Sequence, residues 1–131
     1  YLMMLARVLV LYIFGTQAVS RDVIFAASAL YLILGAAFVP VYGLVDTLTY
    51  ETMGIHAFTD VTFDGQGYFP WQNLIYFSYA TLTTVGYGDV LPVTWIARSI
   101  SSLETIMGVL YVTIIMARLV GLYATDRAER E

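Results

Sequence analysis

Between Val23 and Val45 the chain carries no charged side chain, and that run limits what it can fold into more than any other feature. About 20 consecutive apolar residues suffice to cross the hydrocarbon core of a bilayer as a helix. The run therefore predicts a transmembrane helix over 23–46, behind the polar break Ser20-Arg21-Asp22 with Ser20 as N-cap. Pro40 kinks that helix or marks its outer third. A second long helix is expected from 93 to about 123, after Pro92. At 1.5 Å per residue it measures ~45 Å, enough to cross and protrude. Tyr1–Val19 is apolar apart from Arg7, Thr16 and Gln17, and one more N-terminal transmembrane helix is expected over 1–19. It does not read as a signal peptide, because it lacks a charged leader and Gln17-Ala18-Val19-Ser20 is a poor cleavage site.

Composition agrees with a membrane chain of one domain. Of 131 residues, 60% are hydrophobic and 12% charged, too apolar for a soluble domain of this size. With no cysteine there is neither a disulfide framework nor a cysteine zinc site. A net charge of −4 and the lack of lysine leave no basic patch, so no nucleic-acid partner is expected. No nucleophile, base and orienter come together in the sequence, and the one histidine, His56, falls in a loop. The chain is not expected to be an enzyme.

Between the two long helices the character changes twice. Residues 47–69 are polar, aromatic and glycine-containing, with Asp46, Glu51, Asp60 and Asp64 in or beside them, and read as an exposed outer loop. Pro70 suits the first turn of a helix, where its missing N–H costs nothing. The helix it opens, 70–82, is too short to cross a ~30 Å core. It is followed by Thr83-Thr84-Val85-Gly86-Tyr87-Gly88-Asp89. Two glycines around a tyrosine leave the backbone free to take left-handed conformations, and such a strand can turn successive carbonyls to one side. A short helix and a glycine-rich strand between two spans predict a re-entrant loop. That is tolerated at membrane depth only where it is buried in protein or lines a watery cavity.

Leu82-Thr83-Thr84-Val85-Gly86-Tyr87-Gly88-Asp89 followed by Pro92 resembles the pore of potassium channels, notably small bacterial ones. The resemblance covers about Phe69 to Tyr123, and more loosely the helix from Val23. It implies an all-α membrane protein with a pore module over 22–123: outer helix 23–46, outer loop 47–69, pore helix 70–82, filter 83–89 and inner helix 93–123. Residues 1–19 form the extra transmembrane helix and 124–131 a cytoplasmic tail. One chain offers one carbonyl per level, so the filter requires four copies around an axis, a homotetramer in a bacterial plasma membrane. The carbonyls of Thr84, Val85, Gly86 and Tyr87 would then hold dehydrated K+. The Thr84 hydroxyl would close the inner end, and the side chains of Val85 and Tyr87 would pack behind the strand. Thr83, Gly88 and Asp89 support the filter. A nonselective cation channel and a potassium transporter subunit are the alternatives. The first usually alters the tyrosine or second glycine, and the second joins four degenerate loops in one long chain.

Some supports depart from the family's pattern. Ala80 stands where some bacterial pores carry a glutamate that binds the aspartate after the filter. Tyr76 stands where many members have a tryptophan that donates to it. A Tyr76 hydroxyl bond to Asp89 is therefore expected, the alternative being that Tyr76 packs in an aromatic cuff with Phe77. Gly108 matches the family's hinge glycine, ten residues after Arg98, or else serves close packing against the pore helix. Val109, Val112, Met116 and Val120 share a helical face and are the expected cavity lining, with Met116 or Val120 near a hydrophobic gate. The alternative is that this face meets lipid or the outer helix. Glu104 is an ionisable residue within a span, which by default marks function. It is expected behind the filter as a support, accepting from Thr81, Thr83, Ser78 or Tyr111. A direct cation site in the cavity is the less favoured reading. Arg98 would snorkel to headgroups or bind anionic lipid, and His56 would be a solvated loop residue rather than a pH sensor.

Orientation follows from the arginines. With the loop entering from outside, Arg21, Arg118, Arg127 and Arg130 fall on the cytoplasmic side, as the positive-inside rule requires. Tyr1 then lies outside. An odd number of spans with a cytoplasmic C-terminus leads us to expect an upstream span before Tyr1; a cytoplasmic regulatory domain outside this stretch is a separate reading. Arg7 and Arg21 have no arginine between them, so the visible chain carries no voltage sensor.

Overall fold

The computed structural model describes residues 1–15, 21–61 and 69–128. Its elements are α1 (Leu2–Gly15), α2 (Arg21–Met53), β1 (Phe58–Asp60), α3 (Trp71–Leu82), β2 (Val90–Pro92) and α4 (Trp95–Ala128). Ser20, Asp64 and Arg130 lie outside the described residues, as do the side chains of Arg21 and Arg127. Among the described residues, two helical stretches are long and apolar enough to cross a membrane, Asp22–Met53 and Trp95–Gly121. α1 covers part of the transmembrane helix expected over 1–19, of which residues 16–19 lie outside the described residues.

The outer helix does not stop at 46 but runs to Met53. The reason lies in its threonines: Thr47, Thr49 and Thr52 look like loop residues, yet each hydroxyl donates to the carbonyl four residues back. That local bond lets the helix carry them. Gly54 ends it, with φ of 68° and its N–H on the Tyr50 carbonyl at 2.9 Å, a left-handed cap. Pro40 lies inside the continuous helix. Pro70 is the cap preceding α3 rather than a member of its first turn.

The expected outer loop also contains a strand. β1 and β2 pair antiparallel in the register Phe58↔Pro92, Thr59↔Leu91 and Asp60↔Val90, a small departure from an all-α chain. Asp46 holds this arrangement from α2: it is buried, and its Oδ1 accepts the Ala57 N–H at 2.8 Å. The Ala57 carbonyl in turn accepts the Val93 N–H at 2.9 Å. His56 is not solvated, contrary to expectation. Its Nδ1 lies 2.9 Å from Asp46 Oδ2, and its ring stacks on Tyr50 at 4.5 Å.

Two compact units divide the chain, 1–34 with 110–131, and 35–109. In the first, Ile13 of α1 packs with Ala26, Ala27 and Leu30 of α2, and Tyr111 joins that cluster. The Tyr111 hydroxyl donates to the Ala27 carbonyl at 2.5 Å. In the second unit the core is aromatic. Tyr42 meets Phe58 and Phe77 edge-on at 5.3 and 5.2 Å, and Leu74, Val90 and Ala97 close around them. Edge-to-face pairs at such distances stabilise beyond their buried area.

Candidate functional site

α3 delivers the segment 83–89, and the backbone there is unusual. Thr84, Gly86 and Gly88 have φ of 60°, 55° and 81°, while Val85 and Tyr87 between them do not enter that region. Glycine accepts left-handed φ without cost, but a β-branched threonine does not. Thr84 thus stores strain on the order of 1–3 kcal/mol, which persists only where surroundings enforce it. Backbone that alternates in sign turns successive N–H groups to one side, and each planar peptide sends its carbonyl to the other.

The N–H side is claimed by α3. Thr84 N–H donates to the Thr81 carbonyl at 3.0 Å, and Val85 and Gly86 both donate to the Ala80 carbonyl, at 2.9 and 3.1 Å. These bonds satisfy carbonyls that a helix C-terminus otherwise leaves open. Thr83 donates its hydroxyl to the Tyr79 carbonyl. Among the described residues, no hydrogen bond found takes a carbonyl of Thr84, Val85, Gly86 or Tyr87 as acceptor. The segment 83–89 is exposed throughout in the single chain. Val85 and Tyr87 are 52% and 70% exposed within one copy.

The outer end is braced from the same helix. The Tyr76 hydroxyl donates to the Asp89 carboxylate, and its ring stacks on Tyr87 at 5.9 Å and 15°. Asp89 also accepts the Val90 N–H at 2.9 Å. The Tyr76 hydrogen bond, first of all, holds the Asp89 carboxyl below its ordinary 3.8 and pushes the Tyr76 hydroxyl up to about 12. The Asp89 charge and its brace are thus complete above the ordinary carboxylate range and are lost only as pH falls through the lowered value. Tyr76→Phe removes the main cause, so acid loss of outer-side current should begin at higher pH than in the parent chain. Identical acid midpoints in the two would refute the brace.

Behind this segment, α4 presents Ala97, Ser101, Glu104 and Gly108 as one buried stripe, spaced four, three and four as a helical face requires. Gly108 faces the end of α3: a Cβ there would stand 2.2 Å from the Leu82 carbonyl oxygen. Of its two sequence readings, close packing is the one with a visible contact. Glu104 is fully buried. Its Oε1 lies 2.5 Å from Ser78 Oγ, and its Oε2 accepts from the Tyr42 hydroxyl. Of the four donors expected for it, Ser78 alone is found. Thr83 and Tyr111 bond elsewhere, and Thr81 lines a pocket. Tyr42 escapes sequence reasoning because it sits in the charge-free run of α2. The signal is there in principle, since a carboxyl within a span demands donors and Tyr42 brings a hydroxyl into that run.

Other expected residues are scattered. Arg98 donates from Nε to the Pro92 carbonyl at 3.1 Å, tying α4 to the end of β2. It also borders a pocket of about 380 Å³ with Thr81, Thr84, Gly86, Ser102 and Thr105. Val109, Val112, Met116 and Val120 are all exposed. Val112 and Met116 line an apolar groove with Ile24, Ala27 and Tyr31 of α2.

A family model described as Ion channel matches residues 27–124. Neither a curated protein nor a solved structure matches the chain. The matched stretch contains α3, the 83–89 segment and most of α2 and α4.

Proposed function

From the chain's membership of this ion-channel family, we propose that it is one subunit of a potassium-selective channel in which four copies surround an axis. The carbonyls of Thr84, Val85, Gly86 and Tyr87 replace the water shell of K+, which passes as cargo down its gradient. The observation that carries this reading is the alternating φ at 84–88 together with N–H groups drawn back to Thr81 and Ala80. A backbone committed in this way offers its carbonyls as a row and holds them from behind, so the ligands need little reorganisation as an ion enters.

The exposed strand supports the fourfold assembly. Polar backbone facing lipid without partners costs several kcal/mol per group. The pocket beside it is bordered by Phe77, Ala80 and Pro92 as well as Arg98, Ser102 and Thr105, a mixed lining that suits a protein neighbour. Neighbouring copies cover both, and they bury the surface of Val85 and Tyr87 that one chain leaves exposed. The membrane is the bacterial plasma membrane.

The test is the reversal potential of the purified protein in liposomes with opposed K+ and Na+ gradients. A potential close to the K+ equilibrium value is expected. A value near zero would leave a nonselective pore and defeat the proposal.

A further inference from the structure

Three oxygen–oxygen contacts around Glu104 need a proton each, and the hydroxyls supply only two. Tyr42 Oη meets Glu104 Oε2, Ser78 Oγ meets Glu104 Oε1 at 2.5 Å, and Ser78 Oγ meets the Gly35 carbonyl at 2.8 Å. A serine hydroxyl has one hydrogen. If Ser78 gives it to Gly35, which has none to offer, the contact with Oε1 must be bridged by a proton on the carboxyl. If it gives it to Glu104, two bare acceptors face each other at 2.8 Å in a buried site. A third proton gives each of the three contacts a hydrogen of its own, in one direction: Tyr42 to Glu104, Glu104 to Ser78, Ser78 to Gly35. Among the described residues no cation pairs with Glu104, and an ionised carboxylate buried without one is costly.

We infer that Glu104 is held as a neutral carboxylic acid that donates to Ser78, and that Glu104 and Tyr42 are positioning residues for the filter strand. The relay starts on α2, crosses α4 and α3, and returns to α2 at Gly35. Ser78 lies two residues before Ala80, whose carbonyl holds both the Val85 and Gly86 N–H groups. One turn after Glu104, Gly108 takes the Leu82 carbonyl against its bare Cα. α4 therefore grips the end of α3 at two successive turns, one by hydrogen bonding and one by contact. Tyr42 reaches the carboxyl from inside a box of Phe58 and Phe77, which keeps water from replacing its hydroxyl. The positioning role rests on the channel reading, whereas the protonation state does not.

The experiment uses the full chain and two readouts that need no current. Infrared absorption at neutral pH should contain the carbonyl stretch of a protonated carboxyl, and Glu104→Gln should remove it. Amide exchange over 83–88 should quicken about tenfold in Tyr42→Phe and Glu104→Ala, the scale expected when a buried hydrogen-bond partner is lost. Glu104→Gln should leave it within about twofold, because an amide both accepts from Tyr42 and donates to Ser78 as the acid does. Tyr111→Phe removes another hydrogen-bonded tyrosine hydroxyl and should leave the segment unchanged. In liposomes, mean open duration should follow the same order. An absent carboxyl band, or a band untouched by Glu104→Gln, overturns the neutral acid. Glu104→Gln as damaging as Glu104→Ala, or Tyr42→Phe without effect on 83–88, overturns the positioning role. Loss of K+ selectivity in the parent chain would instead strike the channel reading, with the infrared and exchange results still deciding this one.

Discussion

Gly108→Ala should destabilise the chain by about 2 kcal/mol or more, the upper part of the usual cost of overpacking a filled site. The added methyl would sit 2.2 Å from the Leu82 carbonyl oxygen and 3.1 Å from its carbon. A side chain could swing away, but a carbonyl at the last residue of α3 cannot move without carrying the helix end with it. Alanine's better helix propensity returns only about 1 kcal/mol, so the clash wins. Because Leu82 ends the helix whose Ala80 carbonyl holds Val85 and Gly86, the shift should reach the filter strand too. Thermal unfolding in detergent and survival of the oligomer would measure it. The hinge reading makes the opposite prediction: an oligomer of normal stability whose open probability alone changes. That result would remove the contact argument.

What could be read in the sequence divides along physical lines. The charge-free run of α2, the brevity of α3 and the glycines at 86 and 88 announce themselves because each is a local property of composition or spacing. The extension of α2 to Met53 does not, since Thr47, Thr49 and Thr52 look polar until their hydroxyls are seen turned onto the helix's own carbonyls. The pairing of β1 with β2 joins residues about thirty apart through three-residue strands, too short to leave an alternation pattern. His56 looks like loop because its partner, Asp46, falls at an expected helix end that the helix in fact runs past. Glu104 stands out as a charge within a span, but the identity of its donors depends on how three helices meet. Tyr42 lies 62 positions away. Thr84 is the sharpest case: nothing about a β-branched residue announces a φ of 60°, and only the enforced alternation of the strand explains it.

That alternation gives the second large effect. Gly86→Ala should abolish selective conduction while leaving the fold of each chain intact. Gly86 has a φ of 55°, and a methyl added there would meet nothing within 4 Å in its own chain, so the cost is conformational rather than steric. An L-residue in left-handed backbone loses roughly 1–2 kcal/mol, and four copies would bring about 4–8 kcal/mol to one ring of carbonyls. The cheapest escape is a peptide flip at 86, which takes a carbonyl out of the row and puts an N–H in its place. Gly54 provides the control. It has a φ of 68° and equally open surroundings, but it ends α2 in the outer loop. Gly54→Ala carries the same backbone cost and should leave the reversal potential at its parent value, whereas Gly86→Ala should move it toward zero or extinguish the current. If both variants kept K+ over Na+ selectivity, the carbonyl row at 84–87 would not be the ion path. If both lost it, the effect would be one of general stability rather than of the strand.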